Sequence, residues 1–137
     1  MKLSYRQRAR KFALQAIYSL ELSGNKISDI ELEMLSSKNK SKIDKEYFHE
    51  LVIGVSNNIA TIDNIVYPFI SKKINQLGQI EKAVLRLAIF ELNFRHEIPY
   101  KVIINEAIEL VKIFGSEKSY KFINGVLDKV AIFLLKK

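Results

Sequence analysis

The scarcity of helix-breaking residues is the feature that most constrains the fold of this chain. Proline occurs only at positions 68 and 99 and glycine five times in 137 residues, whereas apolar residues recur at spacings of three and four. This spacing places apolar side chains along one face of a helix. The sequence therefore predicts an all-α fold with about seven helices. No internal repeat of fixed period is visible, which argues against a solenoid.

Capping signals mark the first two helices. Ser4 and Gln7 have the spacing of a capping box, and Ser23 and Gly24 supply a stop after about residue 22. The predicted core face of this helix consists of Ala9, Phe12, Ala13, Ala16, Ile17 and Leu20. Ser28 and Glu31 repeat the capping-box spacing, so a second, shorter helix is expected to begin there, with Ile27 as its hydrophobic staple. The polar segment 36–42, SSKNKSK, is expected to form an exposed loop.

The other helices follow from apolar periodicity and from the two prolines. Asp44 is expected to open a third helix whose buried face includes Ile59, and Pro68 to kink or shorten a fourth. Helices are further expected over about 79–95, 100–114 and 119–135. The segment 79–95 is apolar almost all round, which is typical of a central buried helix. Its narrow polar stripe would consist of Lys82, Arg86 and Asn93.

Charge and cysteine content limit the functional classes. Lysine and arginine outnumber aspartate and glutamate by 22 to 15, giving a net charge of +7, which favours a polyanionic partner. Cysteine is absent, which excludes disulfides and thiolate chemistry. No stretch reads as a signal peptide or a membrane span. The expectation is a single cytoplasmic domain over residues 1–137 that does not contact a membrane.

Residues that could carry catalysis are not grouped in the sequence. His49 and His96 are predicted on separate helices without a second ligand at metal-binding spacing, so solvated or locally hydrogen-bonded histidines are expected. Glu106 and Glu109 could share a helix face, but such pairs are usually solvated or paired with lysine, here Lys112 or Lys101. We therefore expect no enzymatic activity, no catalytic residue, no metal and no cofactor.

The first helix carries the clearest candidate binding site. Five positive charges and no acid occur within the first eleven residues, namely Lys2, Arg6, Arg8, Arg10 and Lys11. Cations near a helix N-terminus oppose the helix dipole, and bound phosphate would relieve this repulsion. Nucleic acid is thus favoured over a merely solvated basic face.

A second apolar line on the same helix has two interpretations. Leu14, Tyr18 and Leu22 recur every four residues on the side away from the predicted core face. The line could pack on another helix of the same domain or contact a protein partner. Glu81, at the start of the fifth helix, is similarly open: it could complement the helix dipole or meet a basic partner.

The start of the last helix combines aromatic and basic residues. Tyr120, Lys121 and Phe122 are adjacent, and Phe122 lies at the rim of the apolar stripe. A rim phenylalanine could stack on an unpaired base or belong partly to the core. Gly125 within this helix predicts close backbone approach to a neighbour.

Three long segments resemble the NusB family of transcription antitermination factors. They are ARKFALQAIYSLELS at 9–23, GQIEKAVLRLAIFEL at 78–92 and IPYKVIINEAIELVKIFGSEKSYKFINGVLDKVA at 98–131. The resemblance implies two packed three-helix bundles. It also implies a heterodimer with the small-ribosomal-subunit protein NusE that binds boxA RNA of nascent transcripts, notably from ribosomal RNA operons. This heterodimer would join antitermination complexes on RNA polymerase with other Nus factors.

The resemblance also assigns residues to two surfaces. By position, the RNA surface would comprise Lys2, Arg6, Arg10, Arg86, Lys121, Phe122 and Asn124, and the NusE surface Tyr18, Leu22 and Glu81. The chain departs from the usual family pattern at Gln7, Asn75 and Lys118. Two alternatives remain: a helical module of the kind that precedes some RNA cytosine methyltransferase domains, and a homodimer that buries the apolar line or the basic surface.

Overall fold

The computed structural model describes residues 4–36 and 42–135 of the chain, with the Asn75 side chain excepted. In these ranges the secondary structure is helical, with seven α-helices, short 3-10 turns that include Tyr67–Phe69 and Ile74–Gln76, and no strand. The helices are α1 (Tyr5–Ser23), α2 (Ile27–Leu35), α3 (Lys45–Asn57), α4 (Ile59–Val66), α5 (Gln79–Phe94), α6 (Tyr100–Phe114) and α7 (Glu117–Leu135). The predicted all-α class is confirmed.

Backbone contacts group the chain into two compact units, Met1–Asn57 and Asn58–Lys137. In the first unit, α1 packs against α2 and α3, and α2 packs against α3. In the second unit, α5, α6 and α7 contact one another, and the short α4 contacts α5 and α7. Each unit therefore contains a bundle of three mutually packed helices, as the resemblance implied. That residues 1–137 act as a single domain stays a prediction.

The ends of α1 are where the sequence placed them. The Ser4 hydroxyl accepts a hydrogen bond from the Gln7 backbone N–H at 3.0 Å, and the Gln7 side chain accepts one from the Ser4 N–H at 2.8 Å. At the other end Gly24 adopts a left-handed conformation with φ 69°, which glycine reaches without a Cβ penalty. Local side-chain and backbone chemistry thus sets where α1 begins and ends.

The predicted cap of α2 is wrong. The helix begins at Ile27, so Ser28 lies inside its first turn, and the capping position, Lys26, makes no side-chain hydrogen bond. The Glu31 carboxylate, expected to complete the capping box, instead lies 2.8 Å from Nδ1 of His49 on α3. The Glu31 carboxylate therefore contacts a histidine of another helix, whereas the local pattern predicted a hydrogen bond to the backbone of α2.

The third and fourth helices are divided at residue 58. The Asp44 carboxylate accepts a hydrogen bond from the Tyr47 N–H at 3.0 Å, which confirms the predicted start of α3. Ile59 is exposed and opens α4, so its predicted place on the buried face of the third helix is wrong. A 3-10 turn over Tyr67–Phe69 follows α4 and contains Pro68. The expected shortening at this proline is confirmed, because proline cannot continue an α-helix.

The fifth helix is the most deeply buried element. Every residue from Lys82 to Leu92 is buried, including the charged side chains Lys82, Arg86 and Glu91. The central position of this helix is confirmed, but the polar stripe expected to include Lys82 and Arg86 does not face solvent. No helix within the described ranges has both the length and the apolar character needed to cross a bilayer.

The last helix begins earlier than expected and contains an unexplained glycine. The Ser116 hydroxyl accepts a hydrogen bond from the Ser119 N–H at 3.3 Å, so the first turn starts at Glu117 rather than near Ser119. A Cβ added to Gly125 would meet no atom within 4 Å. The predicted close approach of a neighbour to Gly125 is therefore wrong for this chain.

Candidate nucleic-acid and partner interfaces

Two of the three arginines of α1 lie over one aromatic ring of α3. The guanidinium carbon of Arg6 lies 4.2 Å from the centroid of the Tyr47 ring, and that of Arg10 lies 5.6 Å away. Both distances are within the range of cation–π attraction. Because α1 packs against α3, the buried Tyr47 ring lies beside α1 and contacts two cations that are one helical turn apart.

The two arginines differ in what they can offer a ligand. Arg6 is exposed, so its guanidinium is available to phosphate. Arg10 is only 4% exposed, so the fold covers most of the side chain that was predicted to contact RNA. The assignment of Arg10 to the RNA surface stays a prediction. Its surroundings favour a different role, in which Arg10 helps to position Arg6 and Tyr47. Lys2 lies outside the described residues.

The apolar line of α1 divides into a buried and an exposed part. Leu14 is 1% exposed and belongs to the core, which supports the interpretation that this end of the line packs within the chain. Tyr18 is half-buried, and Leu22 is 57% exposed. Tyr18 and Leu22 therefore remain as a partly open apolar surface at the end of α1, next to the Gly24 cap.

Arg86 on α5 is held by an acid that the sequence analysis did not single out. Its Nε and Nη2 atoms donate hydrogen bonds to the two carboxylate oxygens of Asp63 on α4, at 3.1 and 2.9 Å. Two parallel hydrogen bonds hold the guanidinium plane in one orientation and pair its positive charge with the carboxylate. The structure thus gives Arg86 a structural ion pair, and its predicted RNA contact stays untested.

The predicted residues of α7 lie on the outside of the second unit. Lys121 and Asn124 are exposed, and Phe122 is half-buried at the edge of the core. None of these three side chains is fully buried in the bundle. A half-buried phenylalanine beside an exposed lysine has one ring face for packing and leaves part of the ring for stacking.

A cavity of about 260 Å³ in the second unit brings two predicted sites together. Its lining includes both Phe122, assigned to RNA, and Glu81, assigned to NusE; the other lining residues are Ile70, Ser71, Lys72 and Leu77. The Glu81 carboxylate also accepts a hydrogen bond from the Gly78 N–H at 3.3 Å. An acid at this helix terminus complements the dipole, which supports the structural interpretation of Glu81. The Glu81 side chain can therefore stabilise the first turn of α5 and also line the cavity.

The remaining titratable candidates are surface groups. His49 is bonded to Glu31, and the Lys112 Nζ atom lies 3.4 Å from Glu109. Across residues 4–36 and 42–135, no group of three or more histidines and acids is placed to hold a metal ion.

Comparison with known proteins identifies the family. The model of the NusB family matches residues 7–132. The chain is 56% identical to the transcription antitermination protein NusB of Proteus mirabilis strain HI4320 over the whole length of both proteins. The chain belongs to the NusB family.

Solved structures of NusB proteins share this fold. One is NusB of T. maritima, with a TM-score of 0.83 and 34% identity, covering 96% of this chain and 93% of that one. Another comes from a crystal structure of the antitermination factors NusB and NusE in complex with double-stranded RNA. It has a TM-score of 0.83 and 32% identity, covering 94% of this chain and 97% of that one.

Three features of these sites escaped the sequence analysis. The sequence analysis did not single out Tyr47, the ring beside Arg6, and it did not connect Asp63 to Arg86, 23 positions later. The part of the cavity wall formed by Ile70, Ser71, Lys72 and Leu77 was also missed. None of these has a local signal, because each depends on a contact between helices rather than on spacing along one.

Proposed function

We propose that this chain is a non-catalytic transcription antitermination factor that binds boxA RNA of nascent transcripts, notably those of ribosomal RNA operons. It binds this RNA as a heterodimer with NusE. The heterodimer joins antitermination complexes on RNA polymerase with other Nus factors. Such a factor works where bacterial transcripts are made, in the cytoplasm.

The observation that carries the RNA part of the proposal is the exposed Lys121 beside the half-open ring of Phe122 on α7. Aromatic rings stack on unpaired bases, and lysines contact the backbone phosphates. Asn124, exposed on the same helix, adds a side-chain amide that can donate to and accept from a base edge. In the first unit, Arg6 supplies a further phosphate contact, its guanidinium held above Tyr47.

The partner part of the proposal is supported by the end of α1. Leu22 is exposed although it is large and apolar, and Tyr18 one turn earlier is half-buried. A tyrosine with an apolar body and a polar tip is common at protein interfaces. The relative crystallised with NusE and RNA has the same fold, so this fold is compatible with both partners.

The deciding experiment measures the affinity of boxA and scrambled RNA, with and without NusE, for the parent protein and two variants. Phe122→Ala should weaken boxA binding by roughly 1 to 3 kcal/mol, the range for one stacked base. Tyr18→Asp should weaken NusE binding while the helical circular dichroism stays native, because Tyr18 is not fully buried. Equal affinity for boxA and scrambled RNA in the presence of NusE would contradict the proposal.

Two controls separate the proposal from its alternatives. If Tyr18→Asp unfolds the protein, Tyr18 belongs to the core and the NusE surface lies elsewhere. Sedimentation of the parent protein at several concentrations tests the homodimer, in which the apolar surface would be buried against a second copy. A concentration-dependent dimer that Tyr18→Asp dissociates would assign this surface to self-association instead of NusE.

A further inference from the structure

One side of α7 carries more cationic and aromatic surface than the NusB resemblance assigns. Lys118, Phe122, Lys129 and Phe133 are spaced by four, seven and four residues, which places them within about 60° of one another around the helix axis. Lys118, Lys129 and Phe133 are exposed and Phe122 is half-buried. We call these four residues the α7 stripe.

Charge is segregated around α7. The acids of this helix, Glu117 and Asp128, lie about 80° or more further round the axis than any member of the α7 stripe. Across from the stripe, the exposed Lys72 lines the same cavity as Phe122. Lys72 thus adds a cation near the Phe122 end of the stripe, and the Glu81 carboxylate, which also lines the cavity, is hydrogen-bonded to Gly78.

The far end of the stripe is aromatic. Phe133 is 41% exposed, and its ring meets that of Phe69 edge to face, with the centroids 5.7 Å apart. Phe69 belongs to the 3-10 turn Tyr67–Phe69, which packs against α7. Contact with Phe69 orients the Phe133 ring and leaves part of it exposed to solvent. Phe122, at the other end of the stripe, likewise lines the cavity and remains partly exposed.

Gly125, which has no side chain, leaves the α7 backbone exposed near the middle of the α7 stripe. It is exposed within α7, and among the described residues no atom outside the neighbouring backbone of α7 lies within 4 Å of the position that a Cβ would take. Glycine inside a helix costs about 1 kcal/mol relative to alanine. Within the described residues no other element packs closely against Gly125, so a ligand lying along α7 could approach the backbone closely at this point.

We propose that single-stranded RNA continues along the α7 stripe, from Phe122 past Gly125 and Lys129 to Phe133. This inference rests on the proposed function and adds Lys118, Lys129 and Phe133 to the RNA surface. Phe122 and Phe133 are about 16 Å apart along the helix. Since stacked bases advance by about 3.4 Å per nucleotide, the stripe would hold about five nucleotides beyond the base on Phe122.

The alternation of lysine with aromatic rings favours RNA over a protein partner. Protein interfaces are depleted in lysine at their centre, but here Lys129 lies between the two rings. Surfaces that bind single strands combine cations that follow the phosphates with rings that stack on bases of any sequence. The stripe would therefore add affinity for flanking RNA without adding sequence preference.

The test compares three RNAs with NusE present: boxA alone, boxA extended by about five uridines at its 5′ end, and boxA extended by the same number at its 3′ end. This length matches the stripe. The parent protein should bind one of the extended RNAs more tightly than boxA alone. The double variant Lys129→Gln, Phe133→Leu should lose at least about fivefold more affinity for that extended RNA than for boxA alone, the effect of losing one stacked base. Leucine keeps an apolar contact for Phe69.

A matched control uses an exposed lysine of the same unit away from α7. Lys101→Gln, on α6, removes one charge as Lys129→Gln does and should lower the affinity for both RNAs by the same small factor. In the double variant, the plot of log affinity against log salt for the extended RNA should be flatter than for the parent, with a slope about 0.7 smaller in magnitude. A similar fall with Lys101→Gln would mean that net charge alone explains the effect.

Three outcomes would overturn the inference and leave the proposed function standing. One is equal affinity of the parent protein for the short and extended RNAs; another is equal weakening of both RNAs by the double variant. The third is a loss of NusE binding by the double variant with the ratio of the two RNA affinities preserved, which would make the stripe a protein surface. If instead Phe122→Ala changes neither RNA affinity, the RNA surface of the proposed function is itself misplaced.

Discussion

Cations and an aromatic ring meet in both units of this protein, but in opposite ways. In the first unit, Arg6 and Arg10 of α1 lie over Tyr47 of α3, a ring that is 2% exposed. In the second unit, Lys121 and Phe122 are neighbours on one helix, and both retain exposed surface. The first group is partly internal to the fold, whereas the second is available to a ligand.

The difference shows that a count of positive charges does not measure the charge available to a partner. Arg10 and Arg86 were both assigned to RNA, but one is covered by the fold and the other is bonded to Asp63. Lysines on α7 have no such role in packing. We therefore expect substitutions in the first group to change stability first and RNA binding second, and substitutions on α7 to do the reverse.

The largest expected effect is on stability and comes from Tyr47. Tyr47→Ala removes a fully packed aromatic ring and should lower the free energy of unfolding by about 3 kcal/mol. Phe122→Ala, the matched change on α7, should cost much less because its ring is only half-buried. Urea unfolding followed by circular dichroism measures both. Equal losses would mean that Phe122 is a core residue, and the comparison would fail.

The next effect concerns the ion pair of α4 and α5. Arg86→Met leaves the Asp63 carboxylate without its bidentate partner and should destabilise the protein by about 2 kcal/mol, less than for a fully buried pair because Asp63 is partly exposed. The double variant Arg86→Met, Asp63→Leu should recover most of this loss. If Arg86→Met keeps full stability but loses RNA affinity, Arg86 is a direct RNA contact and not an internal pair.

The smallest effect is a gain at Gly125. Gly125→Ala should raise the free energy of unfolding by about 0.5 to 1 kcal/mol, because alanine favours the helix and its Cβ would meet open space. Thermal unfolding of the two proteins side by side is sensitive enough to detect this. A loss of stability would instead support the close neighbour that the sequence pattern predicted at this position.

Much of the fold could be predicted because it depends on neighbours along the chain. The Ser4–Gln7 box, the Gly24 stop and the break at Pro68 involve residues within one turn of each other, and all three are present. The predicted cap of α2 was wrong because the Glu31 side chain depends on a residue far away along the chain. A competing bond from His49, 18 positions away, holds Glu31, and no local rule contains that distance.

The sequence by itself determined the helical class, the extents of most helices, the net charge and, through long matching segments, the family. Tertiary structure alone decided which of the predicted site residues face outward. Leu14, Tyr18 and Leu22 have the same spacing, yet the first is core and the last is exposed, because burial depends on the helices that pack against α1. It also paired Arg86 with Asp63 and brought Glu81 to the cavity beside Phe122, because distant segments become neighbours only when the bundles close.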